Sequence, residues 1–420
     1  MRIKLRALAV LVGVLTVTAP AEAAKRRRPP LDLLVHVENS SGAALESTRA
    51  EESFNPASVV KVATSLWALE RLGPEFRFET RIFARGTFDP ATGRLDGDLV
   101  VQGGADPDFH AENAFLVADA LNRIGVREVT GAIVVNQRFW MGWENGSAGT
   151  DSDPFNRGLT MAGRLRQGLD PHRWTGAIRH SWRELAIRRA LDPAKPPRVA
   201  VRGGVGVDGE VKQGELLVVH RSKPLMDTLR RFNAFSNNDI ERLGAVLGPV
   251  EELAALVAVR CGVDASAVAF ATTSGLGTNR LSPRLVVRLL RELRATCARL
   301  GIALESVLPV AGCDPGTVTR FFPNLAMGEN ASAVVGKTGT LTNTDGGVAV
   351  VAGFANTADG DLAFCLAVPR AQGRLKGARV VEERYILDLL SRHGGPRPRS
   401  CAPPLPEADT GASMILVAGS

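Results

Sequence analysis

Pro56-Ala57-Ser58-Val59-Val60-Lys61, running on through Val62-Ala63-Thr64-Ser65-Leu66-Trp67-Ala68-Leu69-Glu70-Arg71-Leu72, is the stretch on which the fold turns. Val62, Leu66, Leu69 and Leu72 recur at helical spacing and the pattern stops at Gly73-Pro74, so a helix is expected over Val59 to Leu72. Positions i and i+3 share a helix face, which carries Lys61 toward the Ser58 hydroxyl. A serine at a helix start also lies in the field of free backbone N–H groups. A nucleophile needs both, a base and an anion-stabilising site. Taken alone, the same residues equally describe an N-capping serine followed one turn later by a solvated lysine.

Two further motifs lie downstream. Ser236-Asn237-Asn238 precedes a helical run that begins near Asp239. Ser and Asn side chains on a cleft shuttle a proton and hold an amide, although Asn238 by itself also suits a helix cap. Lys337-Thr338-Gly339-Thr340 follows the apolar Val334-Val335-Gly336, as at the start of a strand. Lys and Thr there suit a carboxylate, and glycine lets a ligand approach the backbone closely. The plain alternative is an ordinary cation at an exposed strand end. Each pattern occurs once, in the order 58, 236, 337.

The surrounding chain reads as α+β. A first strand is expected over Leu31 to Val37. Strand-like, turn-rich sequence then runs from Phe76 to about Gly142, including Thr80 to Ala84, Leu99 to Gln102 and Ala132 to Asn136, with a helix at Ala111 to Ile124. Gly163 to Leu191 looks helical, and Val199 to Val207 and Leu216 to His220 look like strands. Helices are expected at Leu225 to Phe232, Asp239 to Leu247, Glu251 to Cys261 and Pro283 to Leu300. Ala349 to Phe354 and Leu362 to Pro369 follow as strands, and Ala378 to Arg392 as a last helix. The expected organisation is a catalytic domain at 24–72 and 215–392, an inserted domain at 73–214, and a disordered tail at 393–420.

The 420 residues are 45% hydrophobic and 23% charged, the balance of a globular protein rather than a disordered, collagenous or polytopic membrane chain. Residues 1–23 read as a signal peptide: Arg2, Lys4 and Arg6, an apolar run from Ala7 to Thr18, and Ala21-Glu22-Ala23 as a cleavage site. Cleavage there removes three cations and one anion from a formal net charge of +7, leaving +5 and a basic Lys25-Arg26-Arg27-Arg28 at the new N-terminus. The protein is therefore expected to be exported to the periplasm or cell envelope, with at most peripheral membrane contact. No Lys/Arg run with interleaved aromatics supports nucleic-acid binding. The six histidines are scattered, so no metal or cofactor is expected. Export permits disulfides, and five cysteines leave at least one unpaired within a monomer.

Together, the three motifs have the order and local structure of the serine penicillin-recognising enzymes. The chain resembles the D-alanyl-D-alanine carboxypeptidase/endopeptidase family of low-molecular-mass class C penicillin-binding proteins. The likeness extends to Leu69-Glu70-Arg71-Leu72-Gly73-Pro74, Gly97 to Pro107, Ser274-Gly275-Leu276, Asn279-Arg280, Ser282-Pro283, Leu308 to Gly312 and Gly336 to Leu341. It is close over 50–135 and 216–370 and weak over 140–215.

The resemblance implies a helix-flanked antiparallel sheet, the β-lactamase/transpeptidase-like fold, with an insert between the first and second motifs. It implies Ser58 as nucleophile and Lys61 as its base. Ser236 would be the proton relay, Asn238 the holder of the substrate amide, and Lys337, Thr338 and Gly339 the carboxylate-binding strand. Backbone N–H groups of Ser58 and Thr340 would form the oxyanion hole. The implied substrates are D-Ala-D-Ala ends or cross-links of peptidoglycan stem peptides, with β-lactams as inhibitors. A β-lactamase or esterase on the same fold, and an envelope scaffold with an altered cleft, are the competing readings.

Asn136-Gln137 stands where the family often carries Asp, and Thr272-Thr273 where Asp-Gly is common. A basic, Trp-bearing segment (Arg164, Arg166, Trp174, Trp182, Arg183, Arg188, Arg189) reads either as a solvated amphipathic helix or as a partner-facing surface.

Overall fold

The computed structural model describes residues 31–144, 151–209, 214–404 and 414–417. In chain order the strands are β1 (Leu34–Glu38), β2 (Ala44–Thr48), β3 (Glu79–Asp89), β4 (Arg94–Gly103), β5 (Glu128–Val129), β6 (Ile133–Val135), β7 (Ala200–Val201), β8 (Val205–Val207), β9 (Glu215–Arg221), β10 (Val334–Leu341), β11 (Val348–Thr357), β12 (Gly360–Pro369) and β13 (Met414–Val417). The helices are α1 (Val60–Leu72), α2 (Ala111–Arg123), α3 (Pro154–Leu169), α4 (Gly176–Arg188), α5 (Leu225–Phe235), α6 (Ile240–Leu247), α7 (Val250–Cys261), α8 (Pro283–Arg299), α9 (Thr317–Phe321) and α10 (Leu375–Arg392). Among the described residues, no helix is long and apolar enough to cross a membrane. The signal-like segment and the Lys25–Arg28 cluster lie outside the described residues.

One sheet is antiparallel throughout, in the order β10-β11-β12-β1-β2. β11 and β12, in its interior, are buried on both faces, and alternate residues go to opposite layers. Val350, Ala352, Phe354, Ala363, Cys365 and Ala367 pack toward α1 and α8. Val351, Ala355, Leu362, Phe364 and Leu366 pack toward Ile386, Leu389 and Leu390 of α10. The expected helix-flanked antiparallel sheet of an α+β protein is thus present. β10 lies at one edge, and that edge position is what exposes it to the site.

A second, mixed sheet has the order β13-β9-β3-β4-β5-β7, with β6 paired to β4 and to β8. It covers a core that includes Leu99, Val101, Val117, Leu121, Ile133, Met161 and Leu165, under α2 and α3. Trp174 and Trp182 are buried against Phe115 of α2, with ring centroids 4.8 and 5.6 Å away. The two tryptophans of the basic segment therefore form core rather than surface.

Two expectations need correction. The expected boundary at 214 puts the strand at 215–221 on the catalytic side, but this strand hydrogen-bonds to β3 along Glu79–Ala84 and so belongs to the second sheet. The tail expected to be disordered from 393 is ordered in its described parts. Arg397 N–H donates to Asn356 O (2.9 Å), Arg399 N–H donates to Ser332 O (3.0 Å), and Arg399 pairs with Glu305 and Asp361. Cys401 is disulfide-bonded to Cys313, and β13 pairs with β9. A Pro- and Gly-rich composition hid these contacts because each partner is remote in sequence. The other cysteines, Cys261, Cys297 and Cys365, are buried free thiols.

Candidate active site

Ser58 lies in one 3-10 turn, Ala57–Val59, directly ahead of α1. Ala57 is fully buried with φ +48°, a left-handed conformation that costs a non-glycine residue on the order of 1–3 kcal/mol. Asn55 holds it there. The Oδ1 of Asn55 accepts from Ala57 N–H (3.1 Å), while its Nδ2 donates to Gly277 O (2.9 Å) and Asp345 Oδ2 (2.7 Å). Gly275 closes on the turn from the other side. With φ +89°, a Cβ added to it would fall 2.0 Å from Ala57 O, so only glycine fits.

Lys61, in the first turn of α1, is fully buried. Its Nζ lies 3.0 Å from Ser58 Oγ, and it donates to Asn238 Oδ1 at 2.9 Å and to Ser274 O at 2.6 Å. Burial pushes its pKa down to about 7, a fall opposed by the Glu241 carboxylate. Ser236 ends α5 in the left-handed conformation (φ 56°, ψ 39°). Lys337 Nζ donates to Ser236 Oγ at 2.9 Å and to Thr338 O at 2.7 Å. Lys337 is also fully buried, and desolvation, reinforced by the neighbouring Lys61, holds its pKa well below the ordinary lysine range.

The edge strand completes the arrangement. Gly336 N–H donates to Pro309 O, away from β11. In an antiparallel ladder backbone groups alternate, so the N–H groups of Thr338 and Thr340 also face away from β11. A Cβ on Gly339 would fall 2.6 Å from Pro56 O, so this glycine lets β10 back directly onto the Ser58 turn. Thr338 Oγ1 donates to Thr317 Oγ1 at 2.7 Å, and Thr340 Oγ1 accepts from Arg379 Nη2 at 3.1 Å.

The structure thus forms two hydrogen-bonded groups, Ser58–Lys61–Asn238 and Ser236–Lys337–Thr338, whose two lysines are near enough to act on each other electrostatically, and Gly339 and Thr340 follow on the same strand, β10. The capping alternative for Asn238 is not what forms: Asn237 Oδ1 accepts from Asp239 N–H (2.7 Å), while the Asn238 side chain turns to Lys61. Of the positions where the family often carries Asp, Asn136 clasps the backbone of Gly103 through both ends of its amide, and Gln137 is exposed. Thr272 Oγ1 donates to Leu276 O (3.0 Å) and accepts from Gly275 N–H (3.1 Å), bracing the loop behind Lys61.

Sequence reasoning did not single out Asn55, Glu241, Thr317 or Arg379, and it gave the Ser274 loop no role. Glu241 takes a hydrogen bond from Ser274 Oγ, so the carbonyl facing Lys61 sits on a loop anchored to α6. Only the Ser-Gly-Leu string signalled that loop. Nothing local marks Thr317 or Arg379, because both reach the site from other elements.

A D-alanyl-D-alanine carboxypeptidase of Actinomadura sp. (strain R39) is 25% identical over 426 residues, covering 79% of this chain and 76% of that protein. Two solved structures from Bdellovibrio bacteriovorus share the fold. The predatory endopeptidase Bd0816 has a TM-score of 0.77 at 22% identity, covering 91% of this chain and 99% of that one. A penicillin G acylated form of the predatory endopeptidase Bd3459 has a TM-score of 0.73 at 21% identity, covering 92% and 100%. The model of the D-Ala-D-Ala carboxypeptidase 3 (S13) family matches residues 33–156 and 156–380, most of the chain. The protein belongs to that family and is a serine-type D-Ala-D-Ala peptidase, a hydrolase acting on peptidoglycan.

Proposed function

We propose that the protein is an exported D,D-carboxypeptidase/endopeptidase that cleaves D-Ala-D-Ala ends or D-Ala cross-links of stem peptides through an acyl-Ser58 intermediate, and that β-lactams acylate the same serine. The observation that carries the reading is the environment of Lys61 Nζ. Two of its three neighbours, Asn238 Oδ1 and Ser274 O, are carbonyl oxygens, which only accept. A neutral amine has two N–H donors and one lone pair. With both donors directed to carbonyls, the lone pair is left facing Ser58 Oγ at 3.0 Å. A pKa near 7 keeps much of Lys61 neutral at neutral pH, the condition for a general base.

The steps follow from this geometry. Lys61 takes the Ser58 proton as Oγ attacks the carbonyl carbon. The oxyanion is held by the N–H groups of Ser58 and Thr340, the second of which faces outward from the sheet edge. The C–N bond breaks as Ser236 gives its proton to the leaving amine, and the proton that Lys61 took from Ser58 restores Ser236 by way of Lys337, whose Nζ lies 2.9 Å from Ser236 Oγ. Asn238 holds the substrate amide, and Thr338 with Gly339 and Thr340 receives the carboxylate. Water then attacks the ester carbon with Lys61 taking one of its protons, the Ser58 Oγ–C bond breaks, and Lys61 passes that proton to Ser58 Oγ as the shortened peptide leaves.

Export to the periplasm or envelope fits a wall substrate, and the Cys313–Cys401 disulfide fits an oxidising compartment. Mass spectrometry of muropeptides incubated with wild-type protein and with Ser58→Ala tests the reading. Wild type should remove one D-alanine or split a cross-link and should label with fluorescent penicillin, whereas Ser58→Ala should do neither. Wild-type protein that does none of these overturns it.

A further inference from the structure

Thr338 and Thr340 lie two residues apart on β10 and so on one side of the strand. Their hydroxyls are nevertheless wired in opposite senses. Thr317 Oγ1 spends its proton on Ala234 O (3.2 Å), so the 2.7 Å contact between Thr338 and Thr317 must use the proton of Thr338. That proton is directed into the protein. Thr340 Oγ1 instead accepts from Arg379 Nη2. Its own proton is left for another acceptor.

Arg379 is built into place. Its guanidinium carbon lies 3.4 Å from the Phe321 ring centroid, and that of Arg320 lies 4.8 Å from the same ring. The Nε of Arg379 is buried and makes no hydrogen bond among the described residues. Glu382, three residues on in α10, is buried, and burial drives its carboxyl well above the usual carboxylate range, so it neutralises little of this charge. Two cations thus flank one ring beside a hydroxyl that has a proton to give, a spot suited to an anion.

We propose that Arg379, acting through the Thr340 hydroxyl, positions the free C-terminal carboxylate of the substrate and sets the preference for free-acid over capped C-termini. The inference rests on the proposed D,D-peptidase reading. Arg379 is a positioning residue in this scheme, since Thr340 is the group that touches the substrate.

The test compares kcat/KM on two matched peptides, one ending in D-Ala-D-Ala as the free acid and one as its C-terminal carboxamide. Arg379→Gln should lower kcat/KM on the free acid by roughly 10- to 100-fold and leave the carboxamide within about 3-fold. Arg379→Lys should recover part of the loss. Thr340→Val combined with Arg379→Gln should lose little more than either alone, because the two act in series. Equal losses on both peptides, or no loss on either, overturn the inference while leaving the peptidase reading in place. Wild-type protein that cleaves neither peptide overturns the peptidase reading itself, and this inference with it.

Discussion

Replacing Lys61 by methionine should remove both the activity and a pH-dependent strain on the fold. In the folded protein, burial holds Lys61 at about 7, against about 10.4 in an unfolded chain. The folded state therefore binds fewer protons than the unfolded state between those two pH values, and this group makes stability rise with pH across that window. Integrated, its cost is about 4 kcal/mol at pH 7 and about 2 kcal/mol at pH 9, and it vanishes above the unfolded pKa. Methionine fills similar space without the charge.

The same substitution strips Ser58 Oγ, Asn238 Oδ1 and Ser274 O of a partner, at about 1 kcal/mol each, but that loss does not depend on pH. Lys337 adds in the same direction as Lys61, because losing a like-charged neighbour eases its own protonation. The stability of Lys61→Met relative to wild type should therefore fall by about 2 kcal/mol from pH 7 to pH 9. Denaturant unfolding of both proteins at the two pH values, without reductant, reads this difference directly. A difference that stays flat between pH 7 and 9 would refute a neutral-leaning Lys61 and, with it, the general-base argument. Penicillin acylation of wild type should rise with pH through about 7, as Lys61 loses its proton.

Gly275→Ala should abolish acylation of Ser58 by fluorescent penicillin in protein whose circular dichroism is native, because its Cβ would displace Ala57 O rather than any core contact. Cys401→Ser opens a link between residues 88 apart and should lower the stability measured by unfolding by about 3–4 kcal/mol, a loss that reductant should reproduce in wild type. Asp108→Ala leaves the buried Lys223 without the carboxylate 2.7 Å from its Nζ, and removes the anion 3.4 Å from Arg231; a loss of about 3–5 kcal/mol in the same assay is expected. His220 is held neutral, its pKa pushed down to about 3 by burial, so it favours unfolding as pH falls from about 6.5 toward 3. Acid unfolding of His220→Gln should be correspondingly shallower than that of wild type.

What could be read from the sequence was whatever local pattern encodes. The α1 helix begins one residue later than its apolar spacing suggests, and the alternation of β11 and β12 follows from two apolar faces. β2, Ala-Leu-Glu-Ser-Thr, is largely exposed and carries no strand signal beyond its pairing with β1. Ser58, Lys61, Ser236, Asn238 and Lys337 were legible as residue types, but their wiring was not. A main-chain carbonyl at Ser274 is chemically identical to every other carbonyl in the sequence, and only the fold brings it to Lys61. The same holds for Arg379, whose partners Thr340 and Phe321 lie on two other elements, and for the tail, whose contacts skip tens of residues.

Several costs of this fold lie beside Ser58, the proposed nucleophile. Ala57 and Ser236 are both left-handed without being glycine, and two lysines are fully buried with no carboxylate hydrogen-bonded to either among the described residues. Each feature alone disfavours folding, yet each sets an atom. The left-handed turn at Ala57 presents Ser58 ahead of α1, and the one at Ser236 ends α5 so that its hydroxyl meets Lys337. Burial without a carboxylate partner is what lowers both lysines. An aspartate beside Lys61 would stabilise the ammonium and remove the lone pair on which proton abstraction depends. Glu241 marks the compromise. It hydrogen-bonds to Ser274 Oγ, and its field only partly opposes the desolvation of Lys61. Moving that carboxylate into direct contact with Lys61 would make the fold more stable and the serine less reactive, so the same distance that weakens the structure keeps the base available.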